Sequence, residues 1–124
     1  MNKKRPVNLA LTTLRFPPMA MVSIGHRISG ILLFIFLPFL IYLLHESLIS
    51  ADSFAATHVL LGHPGVRCLL WVIGAATLFH LVAGIRHLLM DFGFGESLNA
   101  GRKSAYAVFI LSAILSVFLG VWLW

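Results

Sequence analysis

The sequence predicts an all-α membrane protein with three transmembrane helices, the N-terminus cytoplasmic and the C-terminus periplasmic. Three observations carry this reading. Of 124 residues, 60% are hydrophobic and only 10% charged, against about half and about a quarter in ordinary soluble domains. Three apolar stretches run without a charge for long enough to cross a bilayer. The nine basic residues are shared unevenly between the two ends of those stretches.

Taken in order, the chain opens on Lys3-Lys4-Arg5, followed by Pro6, Asn8, two threonines and Arg15. This lacks the apolar core and cleavage site of a secretory signal, and it does not read as a transit peptide, so the first hydrophobic segment is expected to be retained as a helix. That helix is expected over about 20–48. Ile28 to Leu44 carries no charge, and the span extends back through Ala20 if Arg27 lies near the interface. Pro17-Pro18 suits its first turn, where a missing N–H costs little, and Pro38 inside it is expected to free the carbonyl of Phe34 and kink the helix. The second helix is expected over 66–91, its apolar stretch running from Cys68 to Ile85 between Arg67 and Arg86. The third is expected over 104–124, with no charge from Ser104 to Trp124. Segments of about 17 to 25 residues span roughly 25 to 37 Å, enough for the hydrocarbon core. Backbone polar groups in lipid must be satisfied within each segment, so the spans are helices, because three isolated strands could not close a barrel. Residues 1–124 then form one transmembrane domain. Glu46 to Gly65 and Phe92 to Lys103 read as connecting loops, with Glu46 and Asp52 as solvated acids.

Orientation follows from the charges. Lys3, Lys4, Arg5, Arg15 and Arg27 precede or open the first helix, and Arg86, Arg102 and Lys103 return to the same side after two crossings. Only Arg67 lies opposite, and eight against one places the N-terminal side in the cytoplasm. The net charge of +5 is thereby explained by topology and implies no nucleic-acid partner; membrane lipid is the partner that the composition implies. Trp122 and Trp124, with Trp71 near the same level, fall at the outer interface. The single Cys68 supports neither an internal disulfide nor a zinc or iron–sulfur site.

Polar residues gather at the cytoplasmic ends of the first two helices. Ser23 and Arg27, four apart, share a face, with His26 on an adjoining line. His80, Gly84, His87 and Asp91 fall at i, i+4, i+7 and i+11, one stripe down the second helix. His80 is deepest, about 10 Å inward of His87. An imidazole within the bilayer marks function, since ionisable groups there are costly and face a partner or a cavity; the plain alternative is a packing histidine bonded to a neighbouring helix. Gly84 leaves room for a flat macrocycle stacked along the helix, and neutral imidazole is a good iron ligand. Arg27 could simply snorkel to the headgroups, but Ser23, His26, Arg86 and His87 at one depth suggest a pocket for anionic or carbonyl groups, such as haem propionates or a quinone oxygen. His45, His58 and His63 lie at the other end and are assigned no chemistry. His80 and His87 are too far apart on one helix to bind one iron together. If His80 ligates a haem through two axial histidines, the second comes from another chain.

Arg5-Pro6-Val7-Asn8, Ser23-x-x-His26-Arg27-x-Ser29-Gly30 and His80-x-x-x-Gly84-x-Arg86-His87-x-x-x-Asp91 resemble the cytochrome b subunit of succinate dehydrogenase (complex II). The resemblance covers essentially the whole chain, with no departure at the motif positions. It implies a membrane-anchor subunit of succinate:quinone oxidoreductase in the bacterial inner membrane. Such a subunit binds haem b and ubiquinone, the latter as substrate, and passes electrons from succinate oxidation to the quinone. The partners implied are a second small haem-ligating anchor subunit, an iron–sulfur subunit and a flavoprotein subunit. His80 corresponds to an axial ligand of the haem iron, with the other ligand on the partner. Ser23 and Arg27 resemble quinone-site residues, His26, Arg27 and His87 resemble groups near the haem propionates, and Asp91 would lie close to the quinone entrance. The rivals are a non-redox assembly or transporter subunit, in which His80 only bridges helices, and a hydrogenase or formate dehydrogenase cytochrome b. The last would be expected to hold both haem ligands in one chain.

Overall fold

The computed structural model describes residues 16–124, so Lys3, Lys4, Arg5, Arg15 and the Arg5-Pro6-Val7-Asn8 motif lie outside the described residues. The described chain consists of α1 (Pro18–Ile49), α2 (Ala51–Leu61), α3 (Pro64–Asp91) and α4 (Leu98–Leu123). Among the described residues there is no strand. α1, α3 and α4 are long and apolar enough to cross a membrane. Their 32, 28 and 26 residues give lengths of about 48, 42 and 39 Å, beyond the roughly 30 Å hydrocarbon core, so their ends project or the helices tilt.

Each helix begins at a recognisable signal. Pro17 precedes α1 in an extended conformation with Pro18 at the first helical position, and the helix runs unbroken through Pro38 to Ile49. Ser50 caps α2, its Oγ accepting from the Ser53 amide at 3.1 Å. The His63 ring caps α3, Nδ1 accepting from the Gly65 amide at 3.2 Å, with Pro64 following. Gly93 and Gly95 turn the chain at φ of 85° and 76°, in the left-handed region that favours glycine. Ser97 Oγ then accepts from the Ala100 amide to start α4.

Two expectations about the connectors are corrected. Residues 46–65 are not a loop: Glu46 belongs to the last turn of α1, and α2 fills most of the remainder. Nor is Glu46 merely solvated, because Ser53 Oγ donates to its carbonyl at 2.7 Å and stands 3.1 Å from its carboxylate, tying α2 to α1. The second connector is shorter than expected, since α4 starts at Leu98, which makes Arg102 and Lys103 helical.

α3 packs against both α1 and α4, and α1 also touches α4. The small core, Val22, Ala83, Ala105 and Val108, sits where all three helices meet, with Phe79 and Phe109 packed around it. Alanines at the contact let the backbones approach closely, the usual basis of helix association where lipid removes a hydrophobic drive. Towards the other end, Trp71 Nε1 donates to the Ser116 carbonyl at 2.9 Å. Gly120 makes room for that indole, since a Cβ there would lie 3.2 Å from Nε1. Most large apolar side chains point outward: Phe34 is 79% and Trp122 81% exposed. This inverts the soluble pattern and suits helices solvated by lipid or by another chain.

Candidate functional site

The crossing of α1 and α3 builds one polar site. His26, from α1, inserts its ring between the two histidines of α3, stacking on His80 at a centroid distance of 4.1 Å and an interplanar angle of 21°. On its other side it lies 6.3 Å from His87 at 19°. Spacing alone set His80 and His87 about 10 Å apart on one helix, and the gap is just wide enough for a third imidazole. Gly84 provides the space, because an added Cβ would stand 3.3 Å from His26 Nε2. The His26 ring lies against Gly84 within this space.

His80 is held by its Nδ1. The Ser29 hydroxyl donates to the His26 carbonyl at 2.9 Å, and His80 Nδ1 lies 3.1 Å from that carbonyl and 3.1 Å from Ser29 Oγ. A carbonyl can only accept, so the hydrogen bond requires the proton on Nδ1, which leaves Nε2 as the basic nitrogen of the ring. Histidines that ligate metals are commonly fixed in this way, through the ring N–H donated to a backbone carbonyl. Gly30 keeps the arrangement compact, since a Cβ there would lie 3.1 Å from His80 Cε1. Ser29 is 4% exposed. Ser29 and Gly30 close the Ser23-x-x-His26-Arg27-x-Ser29-Gly30 motif, in which the sequence alone marks no role for either. Their spacing from His26, three and four residues along one helix face, was the available signal.

Beside the three rings runs an open cleft of about 320 Å³ whose wall also includes Leu81, Gly84 and Leu88. His26 Nε2 is buried without a hydrogen-bond partner, a cost that an incoming oxygen would relieve. Among the described residues no three His, Cys, Asp or Glu side chains are grouped to hold a metal ion. Of the other expected site residues, His87 lines the cleft, whereas Ser23, Arg27 and Asp91 do not. Ser23, Arg27, His87 and Asp91 are all exposed, the first two on the flank of α1 beside His26. Arg86 is corrected: it leaves the cluster and turns to α4, donating from Nε to Ser104 Oγ at 2.9 Å and from Nη2 to the Gly101 carbonyl at 3.3 Å. His45 and His58 are exposed at the opposite end, and His63 serves as the α3 cap.

Three apolar spans with an imidazole cluster at the crossing of α1 and α3 define an integral membrane protein with a polar site on one side of its bundle. The sequence belongs to the succinate dehydrogenase/fumarate reductase transmembrane subunit family, whose pattern matches residues 1–119. It is 58% identical, over 100% of both chains, to the succinate dehydrogenase cytochrome b556 subunit of Coxiella burnetii. It is 31% identical to the subunit of the same name from Paracoccus denitrificans, covering 91% of this chain and 87% of that one. With the Rickettsia typhi subunit it shares 29% identity over 95% and 92%. The chain is thus a cytochrome b membrane-anchor subunit of a succinate dehydrogenase complex, a multi-pass protein of the bacterial inner membrane.

Proposed function

We propose that this anchor binds haem b and ubiquinone and serves the passage of electrons from succinate oxidation to the quinone, with its N-terminus in the cytoplasm. The observation that carries the proposal is the fixing of His80 at Nδ1, which leaves Nε2 as a ligand nitrogen. The cleft, the partnerless His26 Nε2 and the anchored His80 together fit a haem edge with anionic substituents. Haem, when bound, supplies one-electron redox chemistry. This chain's own contribution is binding and electrostatics: His80 would offer a ring nitrogen to the haem iron, while His26, Arg27 and His87 would offer positive or hydrogen-bonding groups to its carboxylates. Ser23 donates to a quinone carbonyl, Arg27 stabilises charge gathering on its oxygen, and Asp91 stands near its approach. A second small anchor subunit would supply another ligand to the haem iron and close the open side. The iron–sulfur and flavoprotein subunits deliver the electrons from the cytoplasmic face.

The same Nδ1 bonds also bridge α1 and α3, which is the structural reading of His80. The two part company at Nε2. His80→Ala should abolish the bis-histidine spectrum in a reduced-minus-oxidised difference measurement on the purified complex, whereas changes at His45, His58 or His63 leave it intact. A bis-histidine spectrum that survives in the His80 variant would sink the ligand assignment. The chain expressed without partners should hold no six-coordinate haem, because His26 stacks face to face on the His80 ring and His87 lies about 10 Å along the same helix, so neither stands opposite His80 across an iron.

A further inference from the structure

Arg86 is a half-buried guanidinium within a membrane-spanning helix, and both its hydrogen bonds end on neutral oxygens. The chain has only four acids. Glu46 and Asp52 lie at the far end of the bundle, and Asp91 and Glu96 are exposed at or beyond the end of α3. Asp91 is five residues from Arg86, which puts it about 140° around the helix and roughly 7.5 Å along it. A charged side chain at membrane depth ordinarily finds an opposite charge or a water-filled cavity. Among the described residues, Arg86 has donor capacity left over and no carboxylate among its hydrogen-bond partners.

What it does have is a groove. Between α3 and α4 lies a cleft of about 390 Å³, running from Phe94 and Gly95 at the turn to Val82 and Leu111 at depth. Arg86 and Ser104 are its only polar side chains. Its walls, Val82 to Met90 on α3 and Ala100 to Leu111 on α4, rise about 12 and 16 Å. Half of a roughly 30 Å hydrocarbon core is about 15 Å, so the groove is as deep as one leaflet. The guanidinium sits near the shallow end, level with Gly101 and Ser104, and Arg102 and Lys103 are exposed on the same turns of α4. Cations at the headgroup level above an apolar slot of leaflet depth complement a molecule with an anionic head and an acyl chain.

We infer that the α3–α4 groove is a binding site for an anionic phospholipid of the leaflet on that side, its phosphate on Arg86 and one acyl chain in the groove. The groove meets the histidine cleft only at Ile85, which lines both, and the inference does not depend on how that cluster is read. It gives Arg86 its missing counter-charge and fills a slot between helices that otherwise touch at small residues.

The test uses the assembled succinate dehydrogenase complex in nanodiscs of phosphatidylcholine containing a minor fraction of phosphatidylglycerol with a photoreactive acyl chain. Irradiation should label residues 82–90 and 100–111, and native mass spectrometry of the detergent-released complex should show phosphatidylglycerol retained over phosphatidylcholine. Arg86→Gln should reduce that preference about fivefold, the scale of one basic side chain at an anionic surface, and Arg86→Lys should largely keep it. Ala107→Phe, which occupies the groove, should suppress labelling by either lipid. Equal labelling by a phosphatidylcholine probe, stronger labelling by a quinone carrying the same reactive chain, or labelling confined to other segments would each overturn the inference. So would an unchanged lipid preference in Arg86→Gln. Should a variant complex fail to assemble, the labelling map and lipid preference of the unaltered protein still decide.

Discussion

Ser29 shows how much a single hydroxyl can set at this site. It is buried at 4% exposure, donates to the His26 carbonyl and touches His80 Nδ1, so it shares in fixing the ring through that nitrogen. Partners behind a ligating imidazole raise its basicity. Ser29→Ala should therefore leave haem in place, since the His26 carbonyl still holds Nδ1, but make the ligand a weaker donor. The loss of about one hydrogen bond, on the order of 1 kcal/mol, corresponds to a rise of a few tens of millivolts in midpoint potential. Redox titration of Ser29→Ala and Ser29→Thr complexes checks this, and an unchanged potential in Ser29→Ala would reduce Ser29 to packing. Gly84 belongs to the same scale. A side chain there would press on His26 Nε2, so Gly84→Leu should displace the His26 ring and disturb the haem spectrum, and an unaltered spectrum would show that His26 has room to move.

At the scale of elements, stability rests on the contact of α3 with α4 and α1. Ala105 is 0% exposed against Val22, Ala83 and Val108, so Ala105→Leu overfills the junction and should cost about 1–3 kcal/mol. Ala113→Leu, on the exposed face of the same helix, should be nearly silent. Thermal unfolding of the complex compares them, and equal loss at both positions would contradict this account of the core. Charge-free apolar runs made the three spans legible in the sequence, because lipid forces such runs into helices. α2 escaped because it is only 11 residues long and holds Asp52, two threonine or serine positions and His58, so neither length nor hydropathy marked it. The start of α4 escaped because the reading stopped at Lys103, whereas the structure stops at the Ser97 cap. Arg86 was misplaced for a related reason: sequence gives its depth on α3, but its direction is set by oxygens on α4, at Gly101 and Ser104, that no spacing within α3 reveals.

At the scale of the whole molecule, one end of the bundle gathers Arg27, Arg86, Arg102 and Lys103, and among the described residues Arg67 alone lies at the other. At the gathered end the chain leaves Ser23 and Arg27 exposed on neighbouring turns of α1, beside the stacked imidazoles but outside their cleft. In the proposed quinone site, enclosed from the other side by partner subunits, these two residues would present a hydroxyl and a fixed cation. A quinone carbonyl becomes anionic on one-electron reduction, and a cation and a donor stabilise that state more than the neutral ground state, so turnover should suffer more than binding. Ser23→Ala and Arg27→Leu should each lower succinate-to-quinone electron transfer by on the order of 10-fold or more, the scale of a few kcal/mol of such stabilisation. Succinate oxidation with an artificial acceptor that draws electrons from the soluble subunits should stay near its unaltered rate, because those centres lie upstream. A parallel fall in both activities would assign the two residues to assembly, and a fall in neither would leave Arg27 as an interfacial anchor that snorkels to the headgroups.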